Sequence, residues 1–164
     1  MPTLPQRYDR IAPWYDLLDA GFERKRYAAL RPLMFEGLGG QLLDAGVGTG
    51  RNCAYYPADA VVSGIDTSKA MLARAAARCP TLAAGGRLHA MDVTAMRFDA
   101  GSFDAAVSSF LFCVLPDEVQ APALALAGLA ALPVLRPAPP RPLRASATAD
   151  IPCWRSHLAQ WRAR

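Results

Sequence analysis

Gln41-Leu42-Leu43-Asp44-Ala45-Gly46-Val47-Gly48-Thr49-Gly50-Arg51 is the stretch whose reading decides the fold of this 164-residue chain. A short apolar run meets an acid and then three glycines on alternate positions, the pattern of a buried strand that breaks into a glycine loop and opens a helix. Glycine has no Cβ and tolerates positive φ, so the backbone there is free to approach a ligand closely. In open α/β sheets ligands lie beyond the carboxyl ends of the strands.

On either side the sequence alternates strand and helix. The spacing predicts strands over 41–45, 60–65, 87–91 and 103–109, and helices over 51–56, 68–78 and 118–132, with Ser68 and Asp117 as N-caps. Such alternation implies an α/β fold, a Rossmann-like parallel sheet with helices on both faces. Residues 1–36 form a helical preface in which Tyr8, Ile11, Ala12, Tyr15 and Leu18 follow a helical period. Pro13 is expected to split that preface into two short helices, and a further helix spans 22–34. Three units follow: a helical lid (1–36), an α/β binding domain (37–135) and an irregular Pro/Arg-rich tail (136–164).

Charge and cysteine usage narrow the classes. The tail holds six arginines against Asp150, whereas the residues before it carry 12 basic and 13 acidic side chains, so the pI of 9.1 belongs to the tail and no nucleic-acid footprint is present. Four cysteines (53, 79, 113, 153) without a Cys-x-x-Cys pair argue against a zinc site and a disulfide framework, and fit a reducing cytoplasm. No targeting segment is evident in the N-terminal residues, and the longest apolar window, 121–135, is too short and too interrupted to span a membrane. Arg24, Lys25 and Arg26 read as a solvated helix face, with contact to a lipid head group as the sharper option and peripheral attachment at the inner membrane surface as its consequence.

Each of the first three strands ends in a carboxylate: Asp44, Asp66 and Asp92. Acids along one sheet edge suit a ligand rich in hydrogen-bond donors, with an ammonium group, ribose hydroxyls and an exocyclic amine. A dinucleotide loop needs glycine at 51 or 53, where Arg51 and Cys53 stand, and no Gly-Lys-Ser/Thr marks a phosphate loop. A nicotinamide-dependent oxidoreductase is therefore the disfavoured alternative. A non-catalytic nucleoside-binding remnant is the third reading. His89 reads as a core histidine rather than a base, and no metal site or dedicated catalytic residue is expected.

At these residues the chain resembles class I S-adenosylmethionine-dependent methyltransferases. Residues 42–52 look like their first motif, Gly64-Ile65-Asp66-Thr67-Ser68 with Met71-Leu72 like the second, Asp92-Val93 like the pair bordering adenine, and Phe103-Asp104 through Ser109-Phe110 like the fourth strand beside the transferred methyl. The opening Tyr8-Asp9-Arg10-Ile11-Ala12-Pro13-Trp14-Tyr15-Asp16 is similar to the lid of a subgroup that includes quinone-biosynthesis C-methyltransferases and phospholipid N-methyltransferases. The resemblance implies S-adenosyl-L-methionine as cofactor, a small-molecule or lipid acceptor, and cofactor contacts at Tyr15, Asp44, Gly46, Gly48, Gly50, Asn52, Asp66, Thr67, Met71, Asp92, Val93 and Ser109.

The resemblance stops near residue 136. Val134-Leu135-Arg136-Pro137 stands where the family turns into a fifth strand, but Ala138-Pro139-Pro140 replaces the glycines and no later window reads as a strand. The expectation is a chain truncated or frameshifted there, inactive as it stands, with strand four left as an aggregation-prone apolar edge. Translating the other two frames of the gene past the Leu132 codon checks this: one of them should give a glycine turn and two apolar strands.

Overall fold

The computed structural model describes residues 3–99 and 101–111, together with 114, 115, 118, 134 and 135. Its centre is a parallel sheet. Strands β1 (Gly40–Ala45), β2 (Ala60–Asp66), β3 (Leu88–Ala90), β4 (Ala105–Ser109) and β5 (Val134–Leu135) lie in the order β3-β2-β1-β4-β5. β1 pairs with β2 (Leu43↔Ser63) on one side and with β4 (Leu43↔Ala106) on the other. The strand order therefore reverses at β1, and the crevice beyond its carboxyl end is where such sheets bind ligands.

The helices are α1 (Leu4–Leu18), α2 (Ala20–Phe22), α3 (Arg31–Phe35), α4 (Lys69–Arg78) and α5 (Pro80–Ala84), with a π-turn over Glu23–Tyr27 and a 3₁₀ turn over Arg51–Tyr55. Ser68 caps α4 by accepting a hydrogen bond from the Met71 amide, as its position predicts. On one sheet face Leu43, Ala45, Ile65, Ala106 and Val93 pack together. On the other Leu42 and Val62 meet Cys79 and Leu82. β1 is buried on both faces, which is why it reads as an apolar run rather than an alternation. Asp104 accepts from the Gln41 amide, tying the starts of β1 and β4.

Four expectations are corrected. Helix α1 runs unbroken through Pro13, because acids one turn to either side, Asp9 and Asp16, are both bonded to the domain below and hold the two halves on it. The helix expected over 22–34 is instead a π-turn, a bend and the short α3. β5 exists, pairing Ser108↔Val134 and Ser109↔Leu135, so β4 is not an open edge along that length. Two apolar residues give no periodicity, and only the neighbouring strand makes them β. Finally, Cys53 and Cys79 form a disulfide, their Cα atoms 5.9 Å apart. They lie 26 residues apart and meet only because the 3₁₀ turn packs on the end of α4, so the cysteine-based case for a reducing compartment falls away. Helix 118–132, Asp117, Cys113 and the tail 136–164 lie outside the described residues.

Leu43 has no exposed surface and touches both sheet neighbours. Leu43→Ala should cost about 2–5 kcal/mol, read as a lower urea midpoint at unchanged slope.

Candidate functional site

The bend after β1 is built by backbone geometry that only glycine adopts freely: φ is +79° at Gly46, +55° at Gly48 and +78° at Gly50. At Gly50 a Cβ would also lie 3.0 Å from the Ala75 Cα of α4, so that glycine serves helix–loop packing. The Gly46 and Val47 amides both donate to the Ile65 carbonyl, and the Gly48 amide donates to Asp66 Oδ2 at 3.0 Å. Asp66 Oδ1 accepts from the Ser68 amide. Burial pushes the Asp66 carboxyl up, against these amide bonds that pull it down. Each of its oxygens keeps acceptor capacity for a further donor.

Asp44 is sealed beneath the bend. Its Oδ2 accepts from Asn52 Nδ2 (2.9 Å) and Tyr56 OH (2.6 Å), while Oδ1 has no partner among the described residues. Burial drives its carboxyl above the usual range despite those two donors, and burial beside Asp44 drives the Tyr56 phenol well up. Asn52 also accepts from Arg31, a guanidinium only 3% exposed that is clasped by Glu23 at 2.6 and 2.8 Å. Ser109 Oγ closes this group, 3.2 Å from Asn52 and 3.3 Å from Arg31.

Helix α1 is fastened over the bend by its acids. Asp9 accepts from Ser68 Oγ (2.6 Å) and the Ala70 amide. Asp16 accepts from Thr49 Oγ1 (2.7 Å), Arg51 Nε (3.0 Å) and Arg78 (2.7 Å). Burial opposes ionisation of Asp16, but the bonds from Thr49, Arg78 and Arg51 outweigh it and hold the carboxyl well below the ordinary range. Arg51, which stands where a dinucleotide loop would have glycine, also pairs with Asp19 and Glu23. It is the anchor for the lid.

Two cavities flank Gly46 under this lid. One, of about 110 Å³, is lined by Leu4, Pro5, Ile65, Met91, Val93 and Leu111 with Asp66, Thr67 and Asp92 at its rim. The other, of about 40 Å³, is lined by Tyr15, Gly48, Thr49, Arg31, Asn52, Ser109 and Phe110. Both are smaller than the ~300 Å³ at which small-molecule pockets begin.

Nine of the twelve residues singled out in the sequence reach these cavities: Tyr15, Gly46, Gly48, Asn52, Asp66, Thr67, Asp92, Val93 and Ser109. Asp44, Gly50 and Met71 are buried and line neither cavity. Arg31 stands outside the motifs read in the sequence, and Asp9, Asp16 and Phe110 stand inside them with no role assigned. Phe110 has φ +65°, unusual without glycine, and packs edge-on to Tyr27 at 4.5 Å. Nothing in the local sequence signals Arg31, whereas Phe110 closes the fourth-strand motif and acids at 9, 16, 19 and 23 in the segment preceding the bend are a readable cue. His89 is half-buried and packs edge-on to Phe98, 5.4 Å between ring centroids.

A parallel sheet with a reversal at β1, a glycine bend there and acids along its carboxyl edge has the architecture of the class I S-adenosyl-L-methionine-dependent methyltransferases. The chain belongs to the methyltransferase-domain family, whose model matches residues 42–131. It is 37% identical over 81 residues to a phosphatidylethanolamine N-methyltransferase of Cereibacter sphaeroides (48% of this chain, 40% of that protein). It is 39% identical over 114 residues to the ubiquinone/menaquinone biosynthesis C-methyltransferase UbiE of Syntrophotalea carbinolica (63% and 46%). The chain thus spans less than half the length of either curated relative. A solved Methanococcus maripaludis protein, proposed to be an S-adenosyl-L-methionine-dependent methyltransferase, superposes with a TM-score of 0.57 at 18% identity, covering 78% of this chain and 61% of that one; this likeness carries the fold alone.

Asp44 sets a pH signature. Its raised pKa means stability declines as pH rises from the ordinary carboxylate range through the folded-state value, since the fold must then hold a buried charge. Asp44→Asn should therefore melt higher than the parent at neutral pH, an advantage that disappears in acid. Thermal melts across pH check this.

Proposed function

We propose that the chain binds S-adenosyl-L-methionine across the two cavities and forms the cofactor-binding part of a methyltransferase acting on a small molecule or lipid, of quinone or phospholipid kind. The observation that carries the reading is Asp66, locked by the Gly48 and Ser68 amides at the cavity rim with acceptor capacity to spare. The donor set fits the cofactor. Apolar Ile65, Met91, Val93 and Leu111 suit a flat base, with Asp66 and Asp92 for ribose hydroxyls and the exocyclic amine. The bend, Asn52, Ser109 and Arg31 suit the amino-acid end. A Cβ on Gly48 would meet only the Gly46 carbonyl at 3.9 Å, so this cavity-lining position is free for a ligand to approach. Family membership and the two relatives named above support the reading, and their printed names support the acceptor class.

When bound, the cofactor supplies an activated methyl on a sulfonium, displaced in line by the acceptor. The residues of this chain bind, align and exclude water. Tyr15 and the apolar underside of α1 cover the bend, Asp66 and Asp92 fix the nucleoside end, and the Asp44–Asn52–Arg31 chain holds the floor rigid. No proton-transfer residue is assigned.

Calorimetry with S-adenosylhomocysteine tests the proposal. The parent should bind it and ignore NAD(H), and Asp66→Ala should weaken binding tenfold or more, a loss of about 1.4 kcal/mol. Absence of binding, or an affinity untouched by Asp66→Ala, overturns it. Asp16→Asn, which loosens the lid, should cost about 1.5–3 kcal/mol of stability at neutral pH, a cost that shrinks as pH falls from the ordinary carboxylate range toward the lowered folded-state value of Asp16, read by urea titration across that range.

A further inference from the structure

Among the described residues, eight large apolar side chains are exposed, and six of them fall between residues 4 and 22: Leu4, Ile11, Trp14, Leu17, Leu18 and Phe22. Trp14, Leu17, Leu18 and Phe22 are each more than 60% exposed. Ile11, Trp14 and Leu18 recur at spacings of three and four on one face of α1, the arrangement of a helix that buries that face in something.

The charges of the same segment are sorted by side. Its acids, Asp9, Asp16, Asp19 and Glu23, are all engaged, with Ser68, Thr49, Arg51 and Arg78 of the domain and with the buried Arg31 of the segment itself. Of its cations only Arg31 is buried; Arg7, Arg10, Arg24, Lys25 and Arg26 are all exposed. The outward side is thus apolar with a fivefold positive fringe and no acid that is not engaged inward.

We propose that this outward face of α1, α2 and the π-turn docks on an anionic lipid surface. Trp, Phe and Leu on one side of a helix with arginines and lysine beside them match the demands of the headgroup boundary: the rings and branched chains enter the acyl edge while the cations remain among lipid phosphates. A protein partner would need a matching acidic and apolar surface, and a second copy of this chain would set fivefold positive against fivefold positive. Charge therefore selects the membrane. The inward face of α1 lines both cavities through Leu4, Pro5 and Tyr15, so one helix would touch the bilayer and the proposed cofactor cleft at once.

The proposal stands on surface chemistry and is independent of cofactor binding. Its test is co-sedimentation of the whole chain with vesicles of phosphatidylcholine alone, or mixed with phosphatidylglycerol, at low and high salt. The expected result is pelleting with the anionic vesicles, falling about tenfold in partition when phosphatidylglycerol is omitted or salt is raised. Leu17→Ser/Leu18→Ser should abolish it, and Arg24→Gln/Lys25→Gln/Arg26→Gln should remove its lipid-charge dependence, with unchanged melting temperatures showing that both variants fold. No pelleting, pelleting indifferent to lipid charge and salt, or pelleting unaltered in both variants overturns the proposal. So does vesicle-independent self-association that the leucine variant abolishes, which would assign the face to a second copy. Calorimetry with S-adenosylhomocysteine on the same preparation separates this outcome from failure of the cofactor reading.

Discussion

The bend between β1 and the 3₁₀ turn has almost no side chains of its own, so its position is set by what grips its backbone and its flanks. Asp66 takes the Gly48 amide from one side, the Ile65 carbonyl takes two amides from below, and Arg51 and Thr49 are held from above by Asp16. Removing any one grip leaves flexible glycines to absorb the slack. The floor of the cleft, the closure of the lid and the placement of Asn52 all depend on these hydrogen bonds being made together.

That arrangement concentrates charge in a poorly solvated place. Asp44 is fully enclosed and carries an oxygen without a partner among the described residues, whereas Asp16, less enclosed, is surrounded by donors. The two carboxyls therefore respond oppositely to their environment, one pushed toward protonation and the other held ionised. Asp44 keeps a hydrogen-bond chain running through Asn52 to Arg31 and Glu23, and an ion pair joins Glu23 to Arg51 at the lid. A buried acceptor without a partner among the described residues is costly to a fold.

The lid has two faces with different tasks. Inward, acids bind arginines, a serine and a threonine of the domain; outward, apolar side chains and cations meet the surroundings. The volume beneath α1 is small, and the bonds at Asp9 and Asp16 hold the helix over it.

Much of this was written in the chain itself. A buried parallel strand must be apolar at nearly every position, a bend with positive φ must be glycine, and strand-end acids must appear at fixed distances, so β1 to β4, the bend, Asp66 and Asp92 are legible from local pattern and backbone chemistry. Other features have no local cause. The Cys53–Cys79 bridge, the pairing of Val134–Leu135, the unbroken run of α1 through Pro13, and the burial of Arg31 against Asn52 and Ser109 arise from residues far apart in sequence meeting in space. Sequence fixed which residues are able to interact; only tertiary packing chose the partners, because hydrogen bonds, disulfides and strand pairs are satisfied by proximity and not by order along the chain.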